Sequence, residues 1–229
     1  LLRLGVVTGL ASESGCLRPL LADGRISVLC AGASSAGAEA AARALAQSGC
    51  RGLLSFGTAG ALDRRHSPGT VVVAERIVAP DGRIFPADAA WHLALMSAIG
   101  MSARVVGAAA AGSDAPVVEP EDKRALGERT GAVVVDMESH RVASVAAERD
   151  LPFLCVRAVA DSCARQVPGW VPATVTAEGK ANPARVARNL LRRPWDVVPL
   201  AGLGLDYRRA LAALRRIALR AGPLFQLPG

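Results

Sequence analysis

The sequence predicts one α/β domain over residues 1–229, built on a central sheet with helices on both faces. Short β-branched runs alternate with Ala-rich segments of helical period. The strand-like runs are almost continuously apolar, as expected of strands buried on both faces. At 229 residues and 51% hydrophobic composition, the chain can fill one sizeable core.

In chain order, LRLGVVTG (2–9) and ISVLCAG (26–32) read as strands, and SAGAEAAARALAQSG (35–49) as a helix of small residues. RGLLSFGTAG (51–60) and GTVVVAERIVA (69–79) follow as strands. DAAWHLALMSAIG (88–100) has helical period, ARVVGAAAAG (103–112) is a strand, and EPEDKRALGERTG (119–131) is a helix with an acidic first turn. The strand AVVVDME (132–138) leads into the helix SHRVASVAAERD (139–150), whose Val142, Val145 and Ala146 share one face. Pro152 stops that helix before the strand FLCVRAVAD (153–161). VPGWVPA (167–173) and LRRPWDVVPLAGLGL (191–205) read as irregular. The last segment, 203–229, forms a basic amphipathic tail: Leu205, Leu211, Leu214 and Leu219 lie among Arg208, Arg209, Arg215, Arg216 and Arg220. Such a tail either lies on an anionic membrane surface or packs its leucines on the core or a partner subunit.

The net charge of +7 comes mostly from arginine, and aromatic residues make up only 3% of the chain. Without stacking aromatics or a reading motif, nucleic acid is not an expected partner. The opening LLRLGVVTGLASESGC is broken by Ser12 and Glu13 and reads as a first strand rather than an export signal. No apolar run approaches the roughly 20 residues of a membrane span. The cysteines, Cys30 and Cys155 in apolar runs among them, show no CxxC spacing and fit a reducing cytoplasm. His66, His92 and His140 are too dispersed to form a metal constellation, so no metal is expected.

Two carboxylates interrupt this apolar pattern. Glu138 follows VVVDM and Asp161 follows VRAVA, both at strand ends, and in open α/β sheets ligands bind at the carboxyl edge. A buried carboxylate requires a partner. On position alone, both also fit helix-terminal or turn-capping roles.

VVDMES, the helix after it and PFLCVRAVADS, together with SFGTAGAL and GTVVVAERIV, resemble the purine nucleoside phosphorylase and methylthioadenosine nucleosidase superfamily over most of the chain. The resemblance implies a nucleoside phosphorylase-like fold with a central mixed sheet. It also implies cleavage of the N-ribosidic bond of an adenine nucleoside. Met137 would pack on the sugar, Glu138 would accept from the ribose hydroxyls, and Asp161 would protonate or hydrogen-bond the departing base. Gly57, Thr58 and Gly60 would line the substrate site as the Gly-rich turn after the third strand. Glu13 falls where the nucleosidase branch carries its water-activating carboxylate, and Ser55 stands where phosphorylases place an arginine. A carboxylate facing phosphate is electrostatically unfavourable, so hydrolysis is preferred over phosphorolysis. The plain alternative for Glu13 is a first-turn carboxylate on the helix after the first strand. No cofactor is implied, and inorganic phosphate would be a co-substrate only in a phosphorylase.

SDAPVVEP replaces the aromatic that relatives stack on the base, leaving Pro116 and the backbone of Val117 to contact adenine. Within the superfamily, VVDMESHRVA, VRAVADS and RRPWDVVPLAGL most resemble the hopanoid-associated phosphorylase group, which implies a lipid-linked nucleoside, adenosylhopane. The expected setting is cytoplasmic at the inner membrane face, with a homo-oligomeric protein in peripheral membrane contact. Methylthioadenosine-type nucleosides are the alternative substrates, and a non-catalytic nucleoside-binding protein is the alternative class.

Overall fold

The computed structural model describes residues 2–100 and 104–229. Among the described residues, eight strands carry the fold: β1 (Leu4–Thr8), β2 (Ile26–Cys30), β3 (Gly52–Ala61), β4 (Val71–Val78), β5 (Ile84–Pro86), β6 (Val105–Gly112), β7 (Val134–Asp136) and β8 (Phe153–Asp161). The helices are α1 (Ala11–Cys16), α2 (Ser35–Gln47), α3 (Ala89–Ile99), α4 (Pro120–Thr130), α5 (Ser139–Glu148), α6 (Pro183–Arg192) and α7 (Val197–Ala221). Each expected strand and helix forms, with the ends moved by a few residues. Ala103, the first residue of the expected strand 103–112, lies outside the described residues.

The sheet is mixed and partly closed on itself. β3 pairs with β7, β7 with β6, β6 with β4, β4 with β8, and β8 again with β3, while β1 and β2 extend it beside β3 and β5 beside β4. β3 and β8 are parallel, whereas β7 runs antiparallel to β3. The chain ends of β7 and β8 therefore do not share the one carboxyl edge that an open parallel sheet would provide. Asp161 stands opposite Gly60, where the β3/β8 register shifts, while the end of β7 turns back along β3. Such a bulge bends a strand and re-aims its side chains. The residues expected to form a Gly-rich turn are instead part of β3, which continues unbroken to Ala61.

One face of the sheet is covered by α2 and α5, whose Ala38, Ala42, Val142, Val145 and Ala146 are buried. The other is covered by α3 and α7, where Trp91, Leu95, Leu214 and Ile217 pack with Phe56. Phe225 sits edge-on to Phe56 at 5.5 Å, and its carbonyl accepts from Trp91 Nε1 at 2.7 Å. Hydrogen-bonding the indole lets a fully buried Trp contribute its whole apolar area.

The structure revises the C-terminal tail. Helix starts at Val197 rather than 203, so much of the stretch expected to be irregular is helical. Leu214 is buried in the core and Leu211 packs against it, while Leu205 and Leu219 remain exposed. The leucines therefore do not form one free apolar face. Cys30, expected in an apolar strand-like run, is the last residue of the edge strand β2 and is exposed there, and all five cysteines are free. Among the described residues, no helix is long and apolar enough to cross a membrane.

Candidate active site

A cleft of about 250 Å³ opens where β3, β7 and β8 meet the loop after β1. Glu13, Thr58, Gly60, Val117, Met137, Glu138 and Asp161 all line it, although they span 149 positions of sequence from first to last. Pro116 and Pro172 complete its apolar side.

Glu13 is on the first turn of α1 and buried. Its Oε2 accepts from the backbone N–H groups of Gly9 and Leu10, each at 2.9 Å. Oε1 accepts from the Thr58 N–H at 2.8 Å and the Thr58 hydroxyl at 2.7 Å. The carboxylate thus closes the start of α1 and faces the cleft at the same time, joining the two readings of its position. Burial raises its pKa, and the Thr58 hydrogen bonds and the Arg157 charge oppose that rise. Thr58 spends both donors on Glu13. Gly57 is buried behind it: a Cβ there would stand 2.7 Å from Glu13 Oε2. The expected substrate contact at Gly57 is therefore corrected to clearance for this carboxylate.

Glu138 lies two residues beyond β7, at the N-terminus of α5. Burial pushes its pKa up to about 8, with Asp136 adding to the rise and Arg157 opposing it. Gly9 approaches closely, since a Cβ on it would lie 2.8 Å from Glu138 Oε1. Met137 is anchored through its carbonyl, which accepts from Ser35 Oγ at 2.9 Å.

Behind these groups is an ion pair that the sequence reading passed over. Arg157 Nε lies 3.0 Å from Asp136 Oδ2, both side chains being buried, and Arg157 Nη2 donates to Asp136 Oδ1 at 3.1 Å and Ser55 Oγ at 2.6 Å. Asp136 Oδ1 also accepts from the N–H groups of Glu138 and Ser139. Burial works against the Asp136 charge, yet Arg157 and these donors hold its pKa below the ordinary value. The available signal was an arginine inside the apolar run LCVRAVA.

Asp161, the last residue of β8, receives a hydrogen bond from the ammonium of Lys123 on α4. Lys123 is fully buried and also donates to the Arg165 carbonyl at 3.1 Å. Burial raises the Asp161 pKa and Lys123 opposes it. Nothing in EDKRALGERT separates this lysine from its solvated neighbours.

His140 is buried nearby, with Nε2 3.1 Å from Asp114 Oδ1, and does not line the cleft. Among the described residues, no group of three or more His, Cys, Asp or Glu side chains could hold a metal ion.

Comparison with known proteins places the chain in a superfamily of nucleoside-cleaving enzymes. A family model described as the phosphorylase superfamily matches residues 16–192, and the chain belongs to that superfamily. Comparison with curated proteins gave no match. Among solved structures, the chain is similar to the 5'-methylthioadenosine/S-adenosylhomocysteine nucleosidase of Neisseria meningitidis bound to methylthio-immucillin-A. The TM-score is 0.75 and identity 17%, with 99% of this chain and 100% of that chain covered. The corresponding nucleosidase of Colwellia psychrerythraea 34H in complex with adenine gives a TM-score of 0.74, 14% identity and coverage of 99% and 96%. The futalosine hydrolase of Helicobacter pylori gives 0.68 at 15% identity, covering 94% and 97%. At these identities, the likenesses establish a shared fold.

Proposed function

We propose that the protein hydrolyses the N-ribosidic bond of an adenine nucleoside, and that its natural substrate is lipid-linked, of the adenosylhopane kind. One observation carries the preference for water over phosphate. Among the described residues lining the cleft, Glu13, Asp136, Glu138 and Asp161 are acidic and none is a lysine or arginine. Arg157 and Lys123, the cations that pair with the carboxylates lining the cleft, are each committed to one of them from behind. An incoming phosphate would find no cation lining the cleft to offset its charge, and would have the Glu13 carboxyl beside it.

In this reading, the ribose lies over Met137 with its hydroxyls on Glu138, and the base lies between Pro116, Val117 and Asp161. As the bond between C1' and the base nitrogen lengthens, its electrons move into the purine, and the raised pKa of Asp161 suits a carboxyl that gives the base its proton. Water adds to C1' and loses a proton to Glu13, so the products are free ribosyl sugar and neutral adenine. The four donors fill the acceptor positions of the Glu13 carboxylate. Water reaches it when the Thr58 hydroxyl, the one donor on a rotatable side chain, turns away.

The test is adenine release from a lipid-linked adenosine in detergent, with and without phosphate, identifying the sugar by mass. Free ribosyl product at a rate independent of phosphate is expected. Ribose-1-phosphate formed only with phosphate would overturn the hydrolytic assignment, and faster cleavage of methylthioadenosine would overturn the lipid-linked one.

A further inference from the structure

The corner between α6 and α7 combines apolar exposure with concentrated positive charge. From Leu191 to Pro199 every residue except Asp196 is exposed, including Leu191 at 86%, Trp195 at 70% and Val198 at 79%. α6 buries none of its residues. Between positions 180 and 205 the cations are Lys180, Arg185, Arg188, Arg192 and Arg193. The single acid there is Asp196, and its carboxylate accepts from Trp170 Nε1 at 2.7 Å.

We infer that this corner seats the protein on an anionic lipid bilayer surface, with Leu191, Trp195 and Val198 entering the headgroup boundary and the arginines meeting anionic headgroups. Tryptophan favours that boundary because one part of its ring system is apolar and another donates a hydrogen bond. Arginine can lay its stem along apolar surface while its guanidinium stays with phosphate. A basic amphipathic helix followed by an apolar tip has the chemistry of an interfacial anchor. A second copy of this chain fits less well, because a two-fold contact would set two surfaces rich in arginine, each with Asp196 as its one acid, against each other. Nucleic acid would suit the arginines but gives Leu191 and Val198 nothing to do.

The corner also faces the loop that follows Asp161. A groove of about 790 Å³ separates Trp195, Val198 and Pro199 from Arg165, Pro168 and Gly169 in the loop that follows Asp161. Arg165 ties that loop to α7 through Asp206 at 3.0 Å, and its carbonyl accepts from Lys123. A lipid-tailed nucleoside held in the bilayer would therefore meet the protein on the side of the Asp161 loop. The purpose assigned to the surface rests on the lipid-linked reading of the substrate, whereas its membrane affinity is measured without any substrate.

The experiment is flotation of the full chain with phosphatidylcholine vesicles, with and without phosphatidylglycerol. The expected result is flotation only with the anionic vesicles, weakened by salt, with a blue shift in Trp195 emission. Leu191→Ser/Trp195→Ser should abolish it. Arg192→Glu/Arg193→Glu should weaken it by about fivefold or more per position. Leu219→Ser, on the core-packed helix, should leave it unchanged. Wild-type protein that stays soluble, or full flotation of the Leu191/Trp195 variant, would overturn the inference. So would a concentration-dependent dimer that this variant dissolves, which would assign the corner to a second copy. The Leu191/Trp195 variant should release adenine from a short, soluble adenine nucleoside at the wild-type rate. Flotation without any adenine release by the wild type would refute the proposed activity and leave the docking surface standing.

Discussion

Lys123 and Asp161 form an ion pair at the wall of the cleft, with the lysine fully buried and the carboxylate at the end of β8. The pair balances two demands. Burial alone would raise the Asp161 pKa further, while Lys123 pulls it back and fixes the carboxyl in place. A base-protonating group needs both an accessible proton and a defined position.

Lys123→Met tests that balance. Losing one partner of a buried pair should cost about 3 kcal/mol of stability. The Asp161 pKa should rise further, so its protonated form persists to higher pH. The alkaline limb of the kcat profile should move upward, and stability should fall over a window extending further into alkaline pH than in the wild type. Urea unfolding at several pH values and a pH–rate profile check both. An unmoved limb would reduce Lys123 to a structural role.

Gly57→Ala and Gly60→Ala should separate sharply. The new Cβ at Gly57 would press to 2.7 Å on Glu13 Oε2, part of a carboxylate that four hydrogen bonds, two on each oxygen, prevent from yielding, whereas at Gly60 the nearest Asp161 oxygen is 3.3 Å away. Gly57→Ala should lose roughly 100-fold in kcat, the scale of an ångström-sized misplacement, and about 2 kcal/mol of stability. Gly60→Ala should change either far less. Steady-state kinetics and thermal melts of both proteins decide it, and equal effects would remove the special clearance at Gly57.

Thr58→Val removes the hydroxyl that Glu13 accepts while keeping the backbone donor. That hydroxyl lowers the Glu13 pKa, so its loss should raise the pKa further and shift the acidic limb of kcat to higher pH. Stability should drop by about 2 kcal/mol, the cost of a buried hydrogen bond to a charged group. An acidic limb that stays in place would show that Glu13 does not titrate in the reaction.

Glu138 predicts a pH-dependent stability. Its pKa rises from 4.5 in the unfolded chain to about 8 in the folded one, so the folded state holds this proton more tightly. The contribution is fully present below 4.5 and is lost progressively as pH rises through about 8. Glu138→Gln should flatten this decline and be the more stable protein in alkaline solution by about 2 kcal/mol, while losing its grip on ribose. Denaturant melts across that window provide the check, and parallel curves would mean that Glu138 ionises in the fold as it does in water.

Most of the architecture was legible because it is written in local periodicity. The apolar runs at 4–8, 52–61, 71–78 and 153–161 form strands, and Val142, Val145 and Ala146 bury the face that their spacing announced. The candidate site was legible in part, because Glu13, Met137, Glu138 and Asp161 stand in motifs that resemble a known superfamily. What lacked a local signal was misread or missed. Lys123 looks like any helix cation until α4 docks, Arg157 finds Asp136 only when β8 and β7 flank β3, and Thr58 turns out to serve Glu13.

The sequence by itself determined the order of elements, the apolar layers and the acidic residues placed at chain turns, since these follow from side-chain period and backbone preference over a few neighbours. Only the tertiary structure decided that β7 runs against β3 and that Glu13, Asp136 and Asp161 each have their particular partner. It also decided that α7 packs on the core while the Leu191–Pro199 corner stays open. Pairing direction, burial and charge neutralisation belong to contacts between residues far apart in the chain, and their energies exist only once the sheet has closed.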